Sequence, residues 1–124
     1  MLFRHIFTIN PGMKELYSFR DIPDDELYTS FSLKKHGVNV LMAVESVVDG
    51  FGTPAMAKAL KRLGARHVTY DATDAHFGVV GQALLNSFKD VLGDKFDARS
   101  VDIWGRVYHI VVGVMHEGNT FPKE

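Results

Sequence analysis

The stretch "LKKHGVNVLMAVESVV", Leu33 to Val48, sets the reading of this chain. Read as a helix, it places Leu33, His36, Val40, Leu41, Val44, Val47 and Val48 on one stripe at spacings of three and four. An imidazole then sits inside an apolar face. Ser30 or Ser32 can cap such a helix, and Gly50-Phe51-Gly52 ends it at about Asp49.

Working outward, Thr53-Pro54 pairs a capping residue with proline at the first helical position, a strong start signal. Met56, Ala59, Leu60, Leu63 and His67 form the stripe that follows, so a second histidine lies on a second apolar face. Asp74 is expected to cap a third long helix, with Phe77, Val80, Gly81, Leu84, Phe88, Val91 and Leu92 on one side until Gly93. A last helix runs from about Ala98 with Val101, Trp104, Val107, Tyr108, Val111, Val112 and Met115 on its apolar side and Gly118 beyond it. Even "HIVVGVM", His109 to Met115, keeps the helical spacing. At the other end, Leu2, Phe3, Ile6, Phe7 and Ile9 give a stripe that starts at the second residue with no cap before it, and Asn10-Pro11-Gly12 stops it. Met13 to Phe19 reads as a short turn and Arg20 to Glu26 as a polar surface connection. The expectation is an all-α chain forming a single domain over residues 1–118, with a frayed tail at 119–124.

The composition narrows the functional classes. The 124 residues suffice for one core, and 46% hydrophobic with 23% charged residues is ordinary for a globular domain. A net charge of -1 leaves no electrostatic footprint for nucleic acid or an anionic membrane. No apolar run approaches the roughly eighteen residues of a membrane span, and the start lacks the form of a signal peptide. The absence of cysteine excludes disulfides, zinc–thiolate centres and thiol nucleophiles, and fits a cytoplasmic setting.

His36 and His67 remain to be explained. The tight turn between their helices allows these to fold back with their apolar faces opposed, both rings pointing into one space. A lone histidine in such a place is most often a core residue bonded to a carbonyl. Two together are harder to bury, since an unpartnered polar nitrogen costs roughly 1–3 kcal/mol. Two imidazoles make a poor zinc site, because no Asp, Glu or third His falls on these stripes. An iron already held by four pyrrole nitrogens needs only one or two more ligands and a broad apolar pocket. Phe3, Phe7, Tyr17, Phe19, Val40, Leu63, Phe77 and Tyr108 offer one.

These residues carry a resemblance. "LKKHGVNVL", "LKRLGARH", "HFGVVGQALL" and "DIWGRVYHIVVGVM" follow the order and approximate intervals of the globin family. The chain looks closest to neuroglobin-like and invertebrate single-domain cellular globins, with "LFRHIFTINPGMKELYSF" matching the second helix and the turn after it. The resemblance implies the globin fold, a haem b cofactor (iron protoporphyrin IX), and dioxygen, carbon monoxide or nitric oxide as ligands. His67 resembles the proximal iron ligand and Leu63 the residue packed beneath the porphyrin. His36 resembles the distal histidine, which in this family either donates a hydrogen bond to the bound gas or ligates the iron itself. Val40 resembles the aliphatic residue that crowds the sixth position, Phe77 a haem-edge contact, Phe3 a distal-pocket residue and Tyr108 a pocket residue of the last helix. Tyr17 or Phe19 fits the aromatic that stacks on the porphyrin. Asn39 stands where a basic residue often meets a propionate, leaving Lys35 or Arg66 as substitutes. Trp104 reads as packing, and His5, His76, His109 and His116 match no ligand position and are expected to be solvated or structural.

Against the family pattern, the first helix and part of the second are missing at the start of this sequence, which is expected to uncover apolar surface that a homodimer contact could cover. The leading expectation is reversible binding of a diatomic gas for storage, transport or sensing. An enzymatic alternative is nitric oxide dioxygenation or nitrite reduction, carried by the same two histidines. A third is a haem-free helical interaction module, in which both are structural.

Overall fold

The computed structural model describes residues 2–122. Among these, every regular element is helical, in the order α1 (Leu2–Ile9), a 3-10 segment (Pro11–Leu16), α2 (Asp24–Leu27), α3 (Phe31–Gly50), α4 (Pro54–Thr69), α5 (Asp74–Leu92), a 3-10 turn (Gly93–Lys95) and α6 (Ala98–His116). The all-α expectation holds, and the polar connection acquires one helical turn, α2.

The starts follow local chemistry. Ser30 and Thr53 accept the Leu33 and Met56 amide protons at 3.3 and 3.2 Å, satisfying donors that a helix leaves free in its first turn. Asp97 does the same for α6, and its bonds from the Ser100 amide and hydroxyl hold its carboxyl below the usual carboxylate range. For α5 the capping residue is Thr73 and not Asp74. Thr73 is extended, its hydroxyl accepts from the His76 amide, and His76 Nδ1 accepts the Thr73 N–H at 3.0 Å. Asp74 is thereby the first helical residue, and its carboxylate is free to reach elsewhere. Gly52 and Gly93 follow α3 and α5 with φ of 84° and 57°, where a side chain would be strained.

Two apolar clusters form in place of one continuous core. The first joins α1 to α5 and the first turns, through Phe3, Ile6, Met13, Phe19, Leu27, Leu33 and Ala83. The second joins α4 to α6 through Val47, Leu60, Ala72, Phe77, Met115 and Phe121. Each fully buried Phe, Ile or Leu contributes about 1.5–3 kcal/mol over leaving it exposed. α3 runs across both, contributing Leu33 to the first and Val47 to the second. Its expected stripe is split: His36, Val40 and Val44 are half-buried, whereas Leu41 and Val48 are 59% and 56% exposed. Leu41 lies about 100° round the helix from Val40, too far to share its face. Beyond Gly118, where the sequence suggests fraying, Phe121 is 7% exposed and the Asp74 amide donates to the Pro122 carbonyl at 2.8 Å. Residues 123 and 124 lie outside the described residues. No helix among the described residues is long and apolar enough to cross a membrane.

Candidate functional site

One histidine packs against each cluster, His36 on Phe3 of the first and His67 on Phe77 of the second. On the first side, the His36 ring lies 5.4 Å from Phe3, 5.4 Å from Tyr17 and 6.3 Å from Phe19. Tyr17 and Phe19 are stacked on each other at 4.9 Å and 6°, so both aromatics of the turn stand at this wall. Gly37 faces the Phe3 ring, where a Cβ would make ordinary contact at 3.8 Å, so the approach of α3 to α1 does not depend on the glycine. Val40, one turn after His36, is half-buried. Burial pushes the Tyr17 hydroxyl up to about 12, so it stays protonated at neutral pH.

On the second side, His67 Nδ1 donates to the Leu63 carbonyl at 2.8 Å. That bond places the proton on Nδ1 and leaves the Nε2 lone pair available, the tautomer that a metal-binding imidazole needs. Leu63 is half-buried one turn before it. Phe77 packs at 5.7 Å from the His67 ring. Tyr108 donates its hydroxyl proton to the Phe77 carbonyl at 2.5 Å, and its ring occupies the space beside Gly81, where a Cβ would come within 2.6 Å of it. Burial raises the Tyr108 pKa, and a charge on Tyr17 would raise it further, so the two tyrosines sense each other.

The histidines are coupled in the same way. Burial lowers the His36 pKa, and a positive charge on His67 would lower it more. His36 is thus held toward the neutral form that can either donate one N–H or offer a lone pair. Of the nine residues singled out in the sequence, Phe3, Tyr17, Phe19 and His36 stand together, as do Leu63, His67, Phe77 and Tyr108, and Val40 is half-buried one turn after His36. Lys35, Asn39 and Arg66 are exposed, as is His109. Trp104 packs on Phe88 at 5.2 Å, in keeping with a structural part.

Three histidines do more than the sequence suggests. His5 meets Asp90 at 2.5 Å, His76 completes the α5 cap, and His116 bridges Val112 and Asp74. His5 and His116 carry no local signal for this, because their carboxylate partners lie 85 and 42 residues away, whereas His76 caps Thr73 only three residues before it.

Among the described residues no three His, Asp or Glu side chains converge as a cage for a bare metal ion. Two neutral imidazoles among apolar side chains instead suit a metal that brings most of its own ligands, as haem iron does. The donor set therefore fits haem, with His67 and His36 as the residues that could hold it.

Comparison with known proteins agrees. The family model described as Globin matches residues 1–115. An anaerobic nitrite reductase of Gossypium hirsutum is 33% identical over 117 residues, 91% of this chain and 72% of that protein. Leghemoglobin-1 of Lupinus luteus is 32% identical over 111 residues, 86% of this chain and 71% of that protein. An anaerobic nitrite reductase of Arabidopsis thaliana is 32% identical over 120 residues, 93% of this chain and 76% of that protein. With six α-helices among the described residues, and with this similarity along nearly its whole length, the chain belongs to the globin family, whose members generally bind haem and take diatomic gases there.

Proposed function

We propose that residues 1–118 act as one haem-binding domain that reversibly takes up dioxygen or another diatomic gas, with His67 as proximal ligand and His36 as distal residue. The observation that supports this reading best is the bond from His67 Nδ1 to the Leu63 carbonyl, which leaves Nε2 as the nitrogen available to a metal. The absence of cysteine from this sequence leaves no thiol for a thioether attachment, which supports a non-covalently held haem such as haem b.

When bound, haem supplies iron with a coordination position open to a small gas. The chain's residues do the rest. His67 Nε2 holds the metal from one side, and the Leu63 carbonyl fixes the ring's rotation and raises its basicity. Phe3, Phe19 and Tyr17 exclude water on the other side. In that dry space an N–H of His36, donated to a ligand that has drawn negative charge, is worth more than about 1 kcal/mol. Alternatively the His36 lone pair takes the iron itself, and apparent gas affinity then falls by the fraction of sites left open. Val40 limits the bulk of what can enter beside it.

A second reading, nitrite reduction, is favoured by relatives that bear the name anaerobic nitrite reductase. It would use the same two histidines, with His67 as the residue that would hold the haem and His36 as the distal residue beside nitrite.

Addition of haem to the purified protein tests the proposal. A sharp Soret band is expected, together with loss of tight binding in His67→Ala. No band, or unchanged affinity in His67→Ala, would overturn it. The distal role is read from the ferrous unliganded spectrum: a six-coordinate pattern abolished by His36→Leu assigns His36 to the iron, and a five-coordinate one assigns it to the gas. Consumption of nitrite by the reduced protein at a rate above that of free haem supports the second reading.

A further inference from the structure

His116 is held by two acceptors at once. Its Nδ1 lies 2.7 Å from the Val112 carbonyl and its Nε2 2.5 Å from the Asp74 carboxylate. Neither partner has a proton to give, so bonding both requires an N–H on each ring nitrogen, and the bridge is made by the protonated ring. The placement suits the charges. His116 is in the last turn of α6, where a cation is favoured, and Asp74 in the first turn of α5, where an anion is.

The bridge stands behind the proximal wall. Phe77 lies 5.6 Å from the His116 ring on one side and 5.7 Å from the His67 ring on the other. Phe121 closes the stack at 5.0 Å from Phe77 and 4.5 Å from His116, and the Asp74 amide ties the tail down through the Pro122 carbonyl at 2.8 Å. Among the described residues, the other ionisable groups near this corner are Lys61 and Glu117, paired with each other at 3.0 Å, Asp71 in the turn before α5, His76, whose Nδ1 accepts the Thr73 amide, and His67 beyond Phe77. His76 has the opposite habit, since its bond needs an unprotonated Nδ1.

We propose that Asp74 and His116 form a proton-dependent strut that positions the His67 ring through Phe77, so that the hold on haem slackens when His116 gives up a proton. The proposal rests on the haem-binding reading. His116 touches neither iron nor gas and acts only through Phe77, as a positioning residue.

The test uses haem-loaded wild type, Asp74→Asn and His116→Phe, the last keeping an aromatic ring beside Phe77. Haem transfer to an excess of a scavenging apoprotein is timed at about pH 6 and about pH 8.5, on either side of ordinary histidine titration. At the lower pH both variants are expected to release haem about three- to tenfold faster than wild type, less than for loss of a group bonded directly to the ligand histidine. At the higher pH a neutral ring keeps a single N–H and can hold only one of its two acceptors, so the ratio is expected to shrink toward one. Equal rates at the lower pH, or the same ratio at both, would overturn the strut, the latter because it marks a merely structural part. Should the protein take up no haem, the haem reading fails separately. The strut is then judged by thermal unfolding of the apoprotein, in which a gap between wild type and Asp74→Asn is expected at the lower pH and is expected to narrow at the higher; coincident curves would overturn it.

Discussion

The two histidines stand on helices that are fastened differently. α4, which carries His67, lies directly on α6: Gly64 lets the Met115 carbonyl approach so closely that a Cβ would sit 2.1 Å from it. The Asn119 amide donates to the Lys61 and Met115 carbonyls at 3.2 and 3.0 Å, and Lys61 pairs with Glu117 at 3.0 Å. α3, which carries His36, is buried only at Leu33 and Val47, near its two ends. The roughly 21 Å between them, at 1.5 Å per residue, runs from one cluster to the other like a bridge deck. Its outer side, with Val38, Leu41, Met42 and Val48, is more than half exposed. Under the proposed roles, a fixed His67 opposite a loosely supported His36 is what exchange between His36 and an external gas would require, because only one of the two needs to move.

The largest expected effect attacks the fastened side. Gly64→Ala puts a methyl group where the Met115 carbonyl stands, and backbone on both sides leaves little room to yield. A loss of about 3 kcal/mol in denaturant unfolding is expected, or a midpoint lower by roughly 10 °C, with haem retention falling in parallel. Asn119→Ala is milder. It removes a bridge between α4 and α6 and leaves the Met115 carbonyl short of a partner, for about 1–2 kcal/mol. Native-state hydrogen exchange sharpens the contrast without mutation: amides from His36 to Val44 are expected to exchange before those of α4 from Leu60 to His67, since opening the middle of α3 exposes less apolar surface. Smallest of all is Leu41→Gln on the outer face of α3, expected to change stability by no more than about 0.5 kcal/mol. If Leu41→Gln instead cost as much as Asn119→Ala, the difference between the two helices would be lost, and something in solution would have to cover that face.

Much of this was legible along the chain, and the exceptions share a cause. Ser30, Thr53 and Pro54 announce their helices because a cap is settled within three residues. His36 and His67 were recognisable because an imidazole on an apolar face is conspicuous wherever it packs. The Asp74 carboxylate, freed by the local Thr73–His76 cap, finds its partner in His116, 42 residues on. Phe121 gave no sign of burial, since the ring that receives it, Phe77, belongs to another helix. Leu41 and Val48 look like core residues at helical spacing, and only the arrangement of neighbours leaves them outside.

The sequence by itself determined most of the α-helices, their starts, the apolar face of most of them and the two histidines set 31 residues apart on adjoining helices, since each depends on spacings of three or four residues or on a single turn. Only the tertiary structure decided that the core divides in two, that His67 belongs to the held half and His36 to the span between, and that His116 stands behind Phe77. Those outcomes depend on which surfaces meet after the chain has folded back. Contacts over 42 or 85 residues are chosen by the packing of whole helices, not by the residues beside them.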